Sequence, residues 1–219
     1  MIIDLEKCEP NNTVESVFCV VGGGIAGIII ANQLSQFVPQ SDILLVDAGD
    51  HRNKKIYFDL LEGCAENSQI RKDSLHYGIG GASNVWGGLC SRFAENELDR
   101  SIFDAGASWP ISYQEIEKYY EKSEEILGLT GHLVCADSAD EGGGKWRRLA
   151  AKIPAKNFKW DLYPKNYKVL KNCHVTKIST KNSRVSSVSG RSSVSGNNAE
   201  IYCKYVILLQ PRILCTNRI

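Results

Sequence analysis

The sequence has no apolar run approaching the ~18–20 residues that a bilayer crossing requires, which excludes a helical membrane span. Its first residues, MIIDLEKCEPNNTVESVFCVVGGG, lack a basic start followed by an apolar stretch and a small-residue cleavage site. They read as a short polar lead-in to a buried strand rather than a signal peptide, so a cytoplasmic location is the default expectation. No surplus of one charge exists: 26 Lys and Arg against 25 Asp and Glu give a net charge of +1. No global field therefore draws the chain to nucleic acid or to an acidic membrane. The eight cysteines never approach closer than 11 positions (Cys8 to Cys19), so there is no CxxC metal or redox motif. His51, His76, His132 and His174 are equally scattered, and no Ser/His/Asp triad or paired-carboxylate arrangement is legible. Dispersed thiols of this kind are expected to be buried and reduced.

What is present begins at Val17. VFCVV is a short apolar run with polar residues before it and glycines after it, the pattern of a buried parallel strand. IAGIIIANQLSQF then carries apolar residues through nearly four turns, and ILLV (Ile43 to Val46) is a second buried strand ending at Asp47. Strand, glycine turn, helix and strand within about 30 residues make a βαβ unit.

The turn itself is Gly22-Gly23-Gly24-Ile25-Ala26-Gly27, a G-x-G-x-x-G with Ala31 four residues on. Gly22 permits the tight turn, and Gly24 lets a pyrophosphate approach the backbone at the helix N-terminus, where free N–H groups and the dipole favour anions. Gly27 lets the helix pack close to the sheet. Ile25 and Ala26 complete the helix start of this phosphate loop. Asp47 lies 20 positions after Gly27, with Ala48 directly following, where an acid can accept hydrogen bonds from ribose hydroxyls. This context predicts dinucleotide binding but does not separate NAD from FAD.

A second glycine cluster, GIGGASNVWGG from Gly78 to Gly88 followed by Arg92-Phe93, suggests close approach to another part of a long cofactor. It equally suits an ordinary glycine-rich loop. Farther on, WPISYQEIEKYYEKSEEILGL reads as a helix, with Ser112 as N-cap and Glu115 completing a capping box. Ile116, Tyr119, Tyr120, Ser123 and Leu127 mark one face. The polar, glycine-rich stretch from Gly131 to Lys145 reads as a loop or linker. From Tyr167 the pattern turns to short β segments. KVLKNCHVTKIST is expected as a strand with a turn at Lys171-Asn172, and the serine-rich region after it as a hairpin with turns at Gly190 and Gly196-Asn197-Asn198.

Four stretches stand in the order and rough spacing of the glucose-methanol-choline (GMC) oxidoreductases: VVGGGIAGIIIA with ILLVDAGD, GIGGASNVWGG, WPISYQEIEKYYEKSEEILGL, and VLKNCHVTKI with IYCKYVILL. The chain resembles the first part of that family over about Val17 to Arg212. The resemblance implies an α/β fold: a Rossmann-like FAD-binding domain built on a parallel sheet, with a partial β-rich substrate region. It divides the chain into first FAD-domain segments at 1–135, a loop or partial substrate region at 136–166, and a β-rich segment returning to the FAD domain at 167–219. It also implies FAD as cofactor and an alcohol or sugar as substrate, with hydride passing to flavin N5. By the same likeness Gly22, Gly24 and Gly27 hold the pyrophosphate and Asp47 the adenosine ribose. Gly80, Gly81, Ser83 and Asn84 would line the stretch from pyrophosphate to isoalloxazine, and Val175 matches a position whose backbone contacts adenine.

The chain departs from the family in three places. Val85 matches a histidine that attaches FAD covalently in some members, so attachment here is expected to be non-covalent. Trp86 stands where many members have an asparagine. The strand Tyr205 to Leu209 runs into Pro211 without the family's glycine turn, and the family's catalytic histidine falls beyond Ile219. The four histidines present are therefore expected at the surface or in packing roles. The rival expectations are a truncated, non-catalytic nucleotide-binding fragment and an NAD-dependent Rossmann enzyme.

Overall fold

The computed structural model describes residues 1–50, 77–84, 90–93, 95–98, 109–129, 133–134, 151–152 and 167–209. In chain order the strands and helices are β1 (Ile2–Asp4), β2 (Asn12–Glu15), β3 (Phe18–Val21), α1 (Ile25–Leu34), β4 (Ile43–Val46), β5 (Cys90–Ser91), α2 (Glu95–Leu98) and α3 (Tyr113–Ile126), followed by β6 (Leu133–Val134), β7 (Ala151–Lys152), β8 (Lys168–Lys171), β9 (His174–Lys181), β10 (Arg184–Arg191), β11 (Asn198–Tyr202) and β12 (Tyr205–Leu208). They fall into two units, one formed by Met1–Val85 with Asp161–Ile219 and the other by Trp86–Trp160.

In the first unit five parallel strands lie in the order β1-β8-β4-β3-β12. The central strands are apolar on both sides because both faces are covered. Val20, Ile43, Leu45 and Val169 point to one face, where Ile28 and Ala31 of α1 close the core with Ile79 and Tyr167. Cys19, Val21, Leu44, Val46 and Leu170 point the other way, alternating at the strand period of two. They meet Val14, Val175, Val188 and Ile201 of a second sheet, ordered β2-β11-β10-β9. Leu44 and Leu45 are both fully buried, each worth roughly 1.5–3 kcal/mol as an upper bound.

The N-terminal residues are more than a lead-in. β1 forms an edge of the parallel sheet beside β8, and β2 pairs in parallel with β11 in the second sheet. Neither strand announces itself in the sequence, because each is short and only half covered: β1 has no fully buried residue, and in β2 only Val14 is buried. The segment expected as one strand with a turn is two strands in different sheets. Between them Asn172 turns the chain at φ 56°, a left-handed conformation that asparagine tolerates.

Gly190 is not a turn. It lies inside β10 beside a register shift, where an added Cβ would collide with the Cys173 sulfur. The turn between β9 and β10 is made instead by Asn182 and Ser183, both at positive φ. The second expected turn is present, with Gly196 at φ 76° and Asn197 accepting at its carbonyl from the Ser192 N–H.

In the second unit β5, β7 and β6 form a small antiparallel sheet. α3 starts with the expected capping box: the Ser112 side chain accepts from the Glu115 N–H, and the Glu115 carboxylate accepts from the Ser112 N–H. Its half-buried face carries Tyr113, Ile116, Tyr120, Glu124 and Leu127. Tyr119 was expected on that face but is 57% exposed, with the Lys118 ammonium over its ring, and Ser123 is exposed too. Glu124 holds Arg92 in a two-pronged ion pair at 2.7 and 3.0 Å, and the guanidinium lies 5.7 Å from the centre of the Tyr120 ring. Among the described residues no helix is long and apolar enough to cross a membrane.

Candidate functional site

The site grows from the C-terminal ends of β3 and β4, where an open α/β sheet places its ligands. Gly22 leaves β3 at φ 109°, a conformation that side-chain-bearing residues rarely adopt, while its N–H stays bonded to the Val46 carbonyl at 2.8 Å. Gly24 is the N-cap of α1 at an ordinary φ of −68°. The first bond within the helix runs from the Ile28 N–H to the Gly24 carbonyl. The N–H groups of Ile25, Ala26 and Gly27 therefore have no acceptor within the helix. No side chain caps this end and no acid stands in its first turn. A Cβ built on Gly24 would meet nothing within 4 Å, whereas one on Gly27 would strike the Gly22 carbonyl. Open space at Gly24, in front of unclaimed N–H donors, suits an anion such as a pyrophosphate.

Asp47 sits directly after β4 and is 5% exposed. Its backbone is fixed on both sides, the N–H donating to the Leu170 carbonyl and the carbonyl accepting from the Cys173 N–H, each at 2.9 Å. Its carboxylate accepts three backbone N–H groups: Gly23 at 2.7 Å on Oδ2, and Gly49 at 2.9 Å and Gly78 at 2.7 Å on Oδ1. Burial pushes this carboxyl above its ordinary range, and the three N–H groups offset only part of that rise. All three partners are donors, which suits the charged form.

The second glycine cluster comes to the first. The Gly80 N–H donates to the Gly23 carbonyl at 2.7 Å, and Gly24 and Gly80 form a parallel bridge. Gly81 opens a short 3₁₀ turn to Asn84. Ser83 Oγ donates to the Gly80 carbonyl at 2.6 Å and Asn84 Nδ2 to the Ile79 carbonyl at 2.9 Å, so the polar side chains of this loop brace their own backbone. Ala48 is buried beside Asp47.

Val175 is fully buried in β9 opposite Gly190, with its side chain in the core between the sheets. Beyond Val175, on the outer side of the second sheet, a polar cleft of about 480 Å³ is lined by Asn11, Thr13, Thr176, Arg191 and Glu200 among others, and by no glycine-loop residue. Gly23, Gly49 and Gly78 were not singled out from sequence. The signal for them was present, since Gly49 stands two residues after the acid and Gly78 opens the second cluster, but their shared partner is visible only in three dimensions.

Cys173 is pushed up to about 12 by burial and by the nearby Asp47 charge, and Cys19 is also raised, first by its hydrogen bond with Cys203 and then by burial. Cys19 and Cys173 are thus protonated packing groups. His174 is half-buried and its imidazole is held below its usual range by burial. Among the described residues no group of His, Cys, Asp and Glu could hold a metal. His51, His76, His132, Val85, Trp86, the chain after Leu209 and the Gly131–Lys145 stretch, apart from Leu133–Val134, which form β6 rather than loop, lie outside the described residues.

No family model and no curated protein matches the chain. Among solved structures it is similar to pyridoxine 4-oxidase from Mesorbium loti, with 19% identity and a TM-score of 0.55 over 88% of this chain and 49% of that one. It is also similar to the Sdh1 complex of Mycobacterium smegmatis in the apo form, at 11% identity, covering 90% of this chain and 34% of that one, TM-score 0.47. A third is FrdA of E. coli quinol fumarate reductase, at 13% identity, covering 90% and 33%, TM-score 0.49. The chain spans about half the length of pyridoxine 4-oxidase, and what the two share is the α/β fold: a parallel five-stranded sheet with a second sheet beside it.

Proposed function

We propose that this chain binds FAD non-covalently and forms part of a GMC-type flavin oxidoreductase that oxidises a CH–OH group on an alcohol or sugar. The observation that carries this reading is the joining of two glycine loops at one helix N-terminus: Gly24 faces open space before unclaimed N–H donors and is bridged to Gly80. Gly22, Gly24 and Gly27, with the N–H groups of Ile25 and Ala26, would take the pyrophosphate. Gly80, Gly81, Ser83 and Asn84 would extend the cradle toward the isoalloxazine. A bound flavin would supply the hydride-accepting centre, which no side chain provides. The oxidase name of the similar solved structure agrees with this assignment, and the four sequence stretches point to the same family.

Purified protein titrated with FAD and with NAD should bind FAD, and acid precipitation should release the yellow chromophore into the supernatant. Colour retained by the precipitate would overturn non-covalent attachment. Tighter binding of NAD than of FAD would overturn the flavin assignment.

A further inference from the structure

We propose that Asp47 is a positioning residue: it clasps the two glycine loops into one cradle before any cofactor arrives, and serves the cofactor through those loops rather than by holding the adenosine ribose. This rests on the reading of the loops as a pyrophosphate cradle, and it changes the role that the position of Asp47 suggests in the sequence.

A carboxylate offers about four lone-pair sites. Three of them are taken by the N–H groups of Gly23, Gly49 and Gly78, and the residue is 5% exposed. Gly23 belongs to the first loop and Gly78 to the second, so one side chain ties together segments 55 positions apart. The Asp47 backbone is fixed, its N–H bonded to Leu170 of β8 and its carbonyl to Cys173 of the β8–β9 connection, and the three N–H groups hold its carboxylate in place. The one lone-pair site left, on Oδ2, lies on a carboxylate closed in by both loops, so a ribose hydroxyl could reach it only by prying away a backbone N–H. That would leave a buried donor unsatisfied. The Gly80 N–H on the Gly23 carbonyl and the Gly24–Gly80 bridge complete the join that the carboxylate anchors.

The isosteric change Asp47→Asn tests this, since an amide turns an NH₂ donor toward at least one of the three N–H groups. In the cofactor-free full chain, amide exchange at Gly23, Gly49 and Gly78 should be slow in the parent. In Asp47→Asn it should accelerate together across 22–28 and 77–84, by about 10-fold or more, with the β10–β11 hairpin unchanged. Exchange confined to one loop, or unchanged, overturns the clasp. If Asp47→Asn fails to fold, parent exchange decides: three unprotected amides in the cofactor-free chain overturn it.

A binding cycle separates clasp from ribose contact. Asp47→Asn should weaken ADP and 2′,3′-dideoxy-ADP by the same factor, about 10–100-fold. A loss seen with ADP but not with the dideoxy analogue would make Asp47 a ribose ligand and overturn the proposal. Absence of binding to ADP and FAD alike would sink the nucleotide reading, while the exchange result would still decide the clasp.

Discussion

Gly24 and Gly27 lie three residues apart, yet a Cβ meets opposite surroundings at each: open space at the first and the Gly22 carbonyl at the second. Their substitution should therefore fail in different ways. Gly24→Val should leave melting nearly unchanged, because φ is −68° and there is room for the side chain. It should abolish FAD binding by filling the space before the helix N–H groups. Gly27→Val should unfold the chain or strongly lower its melting temperature, because backbone stands where the side chain would go. Paired melts and FAD titrations check both. Full affinity in Gly24→Val would remove the first loop from the site.

At the scale of elements, edge strand β1 is held by charge as well as by its ladder with β8. Lys171 Nζ lies 2.5 Å from Asp50 Oδ2 and 3.2 Å from Asp4 Oδ2, while Asn172 Nδ2 donates to Asp4 Oδ1 at 2.8 Å. All three charged side chains are mostly shielded, with side-chain exposures of 9–17%. Burial alone would raise Asp4, but Asn172, Lys171 and the Glu6 N–H outweigh it, leaving its carboxyl below the ordinary 3.8. Burial alone would lower Lys171, but Asp50 and Asp4 outweigh it, leaving its ammonium above 10.5. Stability from Asp4 is thus present above pH 3.8 and lost as pH falls through its lower folded value. Stability from Lys171 is present below pH 10.5 and lost as pH rises through its higher folded value. Lys171→Met should cost roughly 1–3 kcal/mol near neutrality. In urea titrations across pH that difference should be flat between the two limits and shrink outside them. A difference that widens in acid would contradict the assignment.

For the whole molecule, the second sheet and α1 cover the two faces of the parallel sheet, and the glycine loops meet at the C-terminal ends of its strands. A cofactor seated there would contact segments distant in sequence and would bind only when they are assembled. FAD at 100 times its dissociation constant should stabilise by about 2.7 kcal/mol. For a chain of this size that raises the melting temperature by about 5–11 °C. Calorimetry with graded FAD checks this, and a melting temperature indifferent to FAD would refute a native-state site.

The sequence by itself determined the βαβ unit, the capped helix α3 and the glycine turn, because strand burial, capping and the G-x-G-x-x-G pattern are local: each is written in neighbouring residues. It also singled out Asp47 as a candidate ribose-binding acid. Only the tertiary structure decided what that acid touches, since Gly23, Gly49 and Gly78 become neighbours only when β4 and both loops are in place. The strands β1 and β2 were likewise out of reach, because a short half-covered strand takes its identity from the partner it pairs with rather than from its own pattern. Gly190 shows the same division. Read in sequence a glycine among serines signals a turn, but in the fold it is the place where β10 has to leave room for the sulfur of Cys173.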